Sequence, residues 1–326
     1  MDMDKKWKPV VVAVALGVIL PRVLLSALPQ ESAEDSLPSQ QPTQAQTTPL
    51  LSATYLPVLT QEGDVHVMEL EQYVLGVVLA EMPAEFDKEA LKAQAVVTRT
   101  YTLRRLQRRD RHDNAAVCTS HNCCQAYVTK DQFLAKGETV AGYEKIAQAV
   151  EDTRGQVLTY NGEYAEATYF SCSGGRTEDA LAVWGEIIPY LQAVDSPGEE
   201  NAEQYWTSVH FTAEEFEAAL GRNLSGAPRS WLGKRTFTPG DGVQTMEIGG
   251  ITYTGIHLRE LLGLNSTAFT MTAENGGITV ETLGKGHRVG MSQYGADAMA
   301  RNGSVYDEIL MHYYRGTRID KMENIL

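Results

Sequence analysis

Strand-like runs interleaved with separate helical runs, without the βαβ rhythm of a doubly wound sheet, predict an α+β fold. Two observations carry that reading, and the length bounds the domain count. Two consecutive helical patterns lie between Leu70 and Leu106, split at Pro83. Two hairpin signals follow, Asn161–Gly162 and Asn275-Gly276-Gly277, each between runs of strand-forming residues. The 326 residues are enough for one large domain or two smaller ones with a sizeable core.

The N-terminus reads as a membrane address. Lys5, Lys6 and Lys8 precede an apolar run from Val10 to Leu20, and Val23 to Leu28 continue it after Pro21 and Arg22. Together these approach the roughly 20 residues that span a bilayer. The lysines favour a cytoplasmic N-terminus with the remainder exported. Arg22 lies toward the outer end, where it can snorkel. Ser26–Ala27 offers a signal-peptidase site, but an uncleaved anchor is expected. The expected organisation is a cytoplasmic tail (1–8), a single-pass transmembrane helix (9–28), a Pro-, Gln-, Ser- and Thr-rich flexible linker (29–52) and an extracytoplasmic globular part (53–326). A formal net charge of −14 argues against nucleic acid or anionic lipid as the main partner of the soluble part.

Val74, Val77 and Val78 recur at helical spacing, so the first helix buries one face. Pro83 ends it by lacking an N–H and by pushing Met82 out of the α region. Asp87 caps a second helix on which Leu91, Ala95, Thr98, Thr102 and Leu106 share a face. Six arginines fall between Arg99 and Arg111, with Lys92 earlier on the same helix. A solvated helix face accounts for most of them, and a local site for an acidic polymer is the competing reading. A helix follows around Tyr143 to Thr153, closed by Gly155, then a hairpin from Gln156 to Tyr160 and Glu163 to Ser171. From Glu199 the character changes: a helix at Thr212 to Leu220, a hairpin at Gln244–Ile248 and Ile251–Tyr253, and a short helix at His257 to Leu262. Residues 199–265 are therefore expected to form an inserted subdomain. Another hairpin pairs Ala268–Glu274 with Ile278–Leu283. A glycine-rich loop, 284–290, leads into a helix, and Ser304 with Asp307 caps the last helix before Gly316.

Three constellations carry chemistry. Glu81 stands where the first helix runs out, beside apolar Val78, Met82 and Phe86. Such surroundings disfavour the charged carboxylate and raise its pKa, as a general acid at neutral pH requires. A surface Glu in a last helical turn is the competing reading. His112, Cys118, His121, Cys123 and Cys124 place five potential ligands within thirteen residues of loop. Tetrahedral zinc takes four such ligands, and a site filled by protein leaves no position for water, so the expected role is structural. Disulfides are the alternative, with Cys172 as one possible partner, although the adjacent Cys123 and Cys124 cannot readily bridge each other. Finally, Ser171-Cys-Ser-Gly-Gly175 and Gly284 to Gly295 are glycine-rich segments that allow close backbone approach to a ligand. No GKS or GKT pattern makes either a phosphate loop.

Taken in order, Tyr73-Val-Leu-Gly-Val-Val-Leu-Ala-Glu-Met-Pro83, Glu89-Ala-Leu-Lys-Ala-Gln-Ala95, Arg99-Thr-Tyr101, Cys124-Gln-Ala-Tyr127, Ser171-Cys-Ser-Gly-Gly175 and Gly290-Met-Ser-Gln-Tyr-Gly295 strongly resemble the stage II sporulation protein D family, from about Leu56 onward. The resemblance implies a peptidoglycan lytic transglycosylase with a substrate groove, on the mother-cell membrane facing the septal space, acting in engulfment during endospore formation. It implies glycan strands stripped of stem peptides as substrate, and as partners the amidase stage II sporulation protein P and the membrane protein stage II sporulation protein M. The family's catalytic glutamate falls on Glu81. By position, Ser171, Ser173, Gly174, Gly175, His287, Ser292, Gln293 and Tyr294, with Lys92, Gln94 and Arg99, are expected to line the glycan groove. Some members bind zinc in the loop that here carries His112, Cys118, Cys123 and Cys124, with His121 as the alternative fourth ligand. Two other classes compete: a non-catalytic wall-binding module that recruits or stimulates a partner amidase, and a zinc hydrolase using the 112–124 cluster with an open coordination position.

Overall fold

The computed structural model describes residues 54–325. The expected tail, anchor and linker lie outside that range, and among the described residues no helix is long and apolar enough to cross a membrane. The fold is a mixed α+β arrangement of several small sheets and nine helices among the described residues: α1 (Leu70–Glu81), α2 (Lys88–Arg108), α3 (Lys130–Ala135), α4 (Val140–Asp152), α5 (Ala180–Trp184), α6 (Ala213–Leu220), α7 (Gly255–Leu261), α8 (Gln293–Arg301) and α9 (Tyr306–Tyr313).

The main core forms around α1 and α2. Tyr73, Val74, Val77 and Val78 of α1 are fully buried, as are Leu91, Ala95, Val96 and Val97 of α2. The break between the two helices has the expected chemistry. Met82 takes an extended conformation ahead of Pro83, and the Asp87 carboxylate accepts a hydrogen bond from the Glu89 N–H. Helices α4, α8 and α9 pack around α2. The hairpin Tyr55–Leu59/Val65–Glu69, which the sequence did not announce, leads into α1 and pairs in parallel with Val117–Cys118.

Arg99 sits at the centre of this packing. It is fully buried and grips Glu71 with two hydrogen bonds, Nε to Oε1 at 2.8 Å and Nη2 to Oε2 at 2.6 Å. Its Nη1 also donates to the Gln156 carbonyl at 2.9 Å. A bidentate pair of this kind fixes α1 against α2 geometrically as well as electrostatically. Arg99→Ala should therefore leave a buried carboxylate unpaired and destabilise the fold by about 3–5 kcal/mol. Denaturant titration checks this, and lost activity should follow the unfolded fraction.

A second hydrophobic cluster contains Phe216, Leu220, Trp231, Val243, Met246, Ile248, Leu258, Phe269, Met271, Ile278 and Val280. Leu232–Phe237, Val243–Ile248 and Ile251–Thr254 form one of its sheets. In the other, Gly277–Leu283 lies between Ala268–Glu274 and Trp206–Thr212. Because that last pairing joins segments some seventy residues apart, this second core extends past residue 265. Helix α9 begins one residue later than the Ser304 cap predicted: Val305 occupies the cap, and its N–H donates to Glu308 at 3.2 Å.

Candidate active site

Glu81 is the last residue of α1, on the wall of a cleft of about 800 Å³. Two local features hold it there. Gly76 lets the ring of Tyr127 lie against α1, since a Cβ at that position would come within 2.1 Å of the ring. The Val128 N–H donates to the Gly76 carbonyl at 3.1 Å, so the chain before it runs beside the end of α1. The Ala126 N–H consequently reaches Glu81 Oε1 at 2.9 Å. Burial pushes the Glu81 carboxyl up from its ordinary range, against the opposing pull of hydrogen bonds from Ala126 N–H, Tyr169 and Gln293 and of the nearby His121. Burial is the largest of these effects, so the protonated acid persists to a higher pH than that of a solvated Glu.

Tyr169 is the main partner that the sequence reading did not single out. Its hydroxyl bonds to the Glu81 side chain and accepts from Gln125 Nε2 at 3.1 Å. Gln125 Oε1 lies 3.2 Å from Thr102 Oγ1 of α2, which extends this set of contacts to the second helix. Burial and the neighbouring Glu81 hold the Tyr169 phenol well above its usual range, so it stays neutral. No motif pointed to Tyr169, and no role was assigned to Gln125 or Ala126. Ala126 acts through its backbone, where no side-chain signal exists, although Gln125 and Ala126 lie inside the Cys-Gln-Ala-Tyr stretch.

The two glycine-rich segments meet at the cleft. Met291–Ser292 pairs in parallel with Tyr169–Phe170, and Cys172 bridges to Lys285. At Gly284, with φ +76°, a Cβ would lie 2.6 Å from the Ser173 carbonyl, so only glycine permits this approach. Ser171, His287 and Gln293 line the cleft. Gln293 Nε2 donates to the Glu81 carbonyl oxygen at 3.2 Å. Burial, aided by Arg259, lowers His287 to about 4 and keeps it neutral, and its Nδ1 accepts from the Val289 N–H at 3.1 Å.

The other expected groove residues have structural positions. Lys92 pairs with Glu89 at 2.7 Å, and Gln94 is fully buried with its Nε2 on Thr98 Oγ1 at 3.2 Å. With Arg99 committed to Glu71, none of the three lines the cleft. Arg99 also leaves the solvated face assigned to the arginines. Ser173 is buried, and its N–H and hydroxyl donate to Glu199 Oε2 at 2.6 and 2.8 Å, with the Gly174 N–H adding a third bond at 3.0 Å. Glu199 thus shapes the turn that includes Gly174 and Gly175 from behind, and its role was invisible without the fold. Ser292 caps α8, accepting from the Gly295 N–H at 3.1 Å, and Tyr294 packs edge-on to Phe86 with ring centroids 4.9 Å apart.

His112, Cys118, Cys123 and Cys124 form a second group beside the cleft, with their ligand atoms all within 4.8 Å of one another. His112 Nε2 is 3.4 Å from Cys124 Sγ and 3.7 Å from Cys123 Sγ, and the two sulfurs are 4.0 Å apart. That spacing suits a tetrahedral ion with metal–sulfur distances of about 2.3 Å. The sulfurs are too far apart for a disulfide, and all four cysteines of the chain are free thiols. His121 is outside the group and on the cleft wall. The residues present fit a metal ion. Cys124 and Ala126 are two residues apart in one strand of chain, so the cluster braces the segment that contacts Glu81.

The stage II sporulation protein (SpoIID) family model matches residues 60–160, which include Glu81 and the four-ligand group. The chain is 42% identical over 274 residues to stage II sporulation protein D of Bacillus subtilis (strain 168), covering 82% of this chain and 79% of the relative. The chain belongs to the stage II sporulation protein D family. The corresponding protein of Bacillus amyloliquefaciens is 39% identical over 272 residues, covering 82% of this chain and 78% of the relative. The amidase enhancer of Bacillus subtilis (strain 168) is 28% identical over 308 residues, where the match spans 75% of this chain and 40% of that longer protein.

Proposed function

We propose that this chain is a sporulation-specific lytic transglycosylase that cleaves peptide-free peptidoglycan strands between N-acetylmuramic acid and N-acetylglucosamine. The observation that carries the reading is Glu81: a single carboxyl with a burial-raised pKa on the wall of a sugar-sized cleft. Of the other two carboxylates on that cleft, Glu166 is engaged by Arg104 and Arg105, and Glu186 is exposed. A lone acid suits a reaction in which the substrate supplies its own nucleophile. Protonated Glu81 donates to the glycosidic oxygen as the bond to C1 breaks. The resulting carboxylate takes the proton of the muramoyl C6 hydroxyl, whose oxygen closes on C1 to give a 1,6-anhydro end. No second carboxylate and no water are consumed, unlike an ordinary glycosidase. Ala126 N–H and the Tyr169 hydroxyl hold the carboxylate in place between the two transfers.

His112, Cys118, Cys123 and Cys124 are the residues that would hold zinc, with a structural role, since four protein ligands leave no open position for hydrolytic water. The N-terminal anchor, the extracytoplasmic setting, the inserted subdomain and partnership with stage II sporulation proteins P and M complete the proposal. The similarity to an amidase enhancer supports a second reading, a wall-binding module that stimulates an amidase without cutting glycan. The purified extracytoplasmic part should shorten peptide-free strands with no amidase present. Strand shortening only when an amidase is added would favour the second reading.

The pH profile gives a sharper check on Tyr169. Its hydrogen bond favours the Glu81 carboxylate and so opposes burial. In Tyr169→Phe the Glu81 pKa should rise further, and the protonated acid should persist to higher pH. The alkaline limb of kcat/KM is thus expected to move upward, while a limb that stays in place would contradict the assignment.

A further inference from the structure

The cleft carries a set of cations that proton transfer at Glu81 does not use. Arg105, Arg108 and Arg111 line it from the end of α2 and the segment after it, and Lys285 lines it from the glycine-rich loop. Its carboxylates are Glu81, whose charged form burial disfavours, Glu166 and Glu186. A cationic patch at this one place, in a chain with a net charge of −14, is a local feature that the overall charge does not explain.

The arginines differ in what they have left to offer. Arg105 is buried, bound to Glu166 and Asp110, and lies over the Tyr101 ring at 4.9 Å, yet its buried Nε has no partner. Arg108 has a half-exposed side chain (49%), and its nearest carboxylate oxygen, Glu166 Oε2, is 3.9 Å away, beyond hydrogen-bond distance. Arg111 is exposed and spends Nη1 on the Cys123 carbonyl at 2.8 Å. Glu166, meanwhile, binds Arg104 at 2.8 Å and Arg105, leaving it little capacity for Arg108. A guanidinium presents a planar fork that matches a carboxylate and distinguishes it from a neutral amide.

We propose that Arg108 and Arg111, backed by the buried Arg105–Glu166 pair, recognise a free carboxylate on the saccharide in the Glu81 cleft. The site thereby selects an anionic glycan over the same glycan with its acids capped as amides. The inference rests on the transglycosylase reading of the cleft and names the group that the reading leaves unassigned. In wall glycan that group is the lactyl carboxylate of muramic acid, which is free only after an amide-hydrolysing step has removed the peptide.

The test measures binding and cleavage separately. Binding is measured on Glu81→Gln protein, so that it does not depend on turnover, using peptide-free strands and the same strands with carboxylates coupled to methylamine. The acidic strands should bind about tenfold more tightly, and Arg108→Gln with Arg111→Gln should abolish that preference. Arg108→Lys should retain part of it, because the charge survives while the fork is lost. In the cleaving protein the same paired substitution should act mainly on KM. Melting temperature and metal content are followed throughout, since Arg111 touches the metal loop. Equal binding of acidic and amidated strands, or full discrimination by the doubly substituted protein, would overturn the inference. Charge-selective binding without any anhydro product would contradict the transglycosylase reading while leaving the arginine assignment supported.

Discussion

Glu81→Gln is expected to lower the release of anhydromuramoyl ends from peptide-free strands by about 10³-fold or more, because in the proposed reaction one residue serves as both acid and base. A positioned general acid or base is typically worth about 10²–10⁴-fold, and here no other group takes over either transfer. Glutamine keeps an oxygen to accept from Ala126 N–H, so the end of α1 should retain its contact with the 123–128 segment. The stability effect has a definite sign. Since burial raises the Glu81 pKa, the ionised carboxylate is the form that the native state disfavours. That penalty is absent at acid pH, where the group is protonated in both the folded and the unfolded chain, and it grows as pH rises through the folded pKa. Glu81→Gln should therefore match the parent in melting temperature at acid pH and exceed it at alkaline pH. A variant that loses activity because it unfolds would show the opposite ordering at every pH.

The second large effect belongs to the ligand cluster. If His112, Cys118, Cys123 and Cys124 hold the proposed ion, Cys118→Ser or a strong chelator should strip it and lower the melting temperature by on the order of 10 °C, as expected when several kcal/mol of metal-linked folding energy is lost. Cys118 is buried, and its carbonyl accepts from the Tyr73 hydroxyl at 3.1 Å, so the cluster is joined directly to the α1 core. Metal content by elemental mass spectrometry and thermal unfolding, measured on the same samples, check the link. Activity should fall in step with folding. Loss of cleavage by a chelated protein that stays fully folded would instead favour a metal-activated hydrolase.

Local chemistry was legible in the sequence, and long-range pairing was not. The break at Pro83 and the Asp87 cap depend on residues next to one another, and both are present. The hairpins at Gly249–Gly250 and 275–277 could be read for the same reason, whereas at Asn161–Gly162 only Glu163–Tyr164 of the expected Glu163–Ser171 strand pairs back, because Tyr169–Phe170 is taken by Met291–Ser292. Trp206–Thr212 escaped notice because it is a strand only through its partner Gly277–Leu283, and that pairing carries the second hydrophobic cluster past residue 265. The candidate site divides along the same line. Glu81 and the four-ligand group rest on short motifs, and the structure brings them to one cleft and its margin. Arg99 was assigned to the groove because a sequence displays a charge without its partner, and Glu71 lies 28 residues earlier. Lys92 and Gln94 were misplaced with it, being spaced along the same helix. Ser173 looked like a ligand group because nothing in its neighbourhood points to Glu199 as the acceptor that satisfies it. Tyr169 had no motif to announce it, since its role depends on a strand pair that joins two distant glycine-rich segments.

Mass spectrometry of the chain ends released from purified peptide-free strands tests the central claim most directly. The account predicts 1,6-anhydromuramoyl ends, formed by the protein acting alone and lost in Glu81→Gln. Cleavage that leaves only ordinary reducing ends, showing that water entered the product, would contradict it.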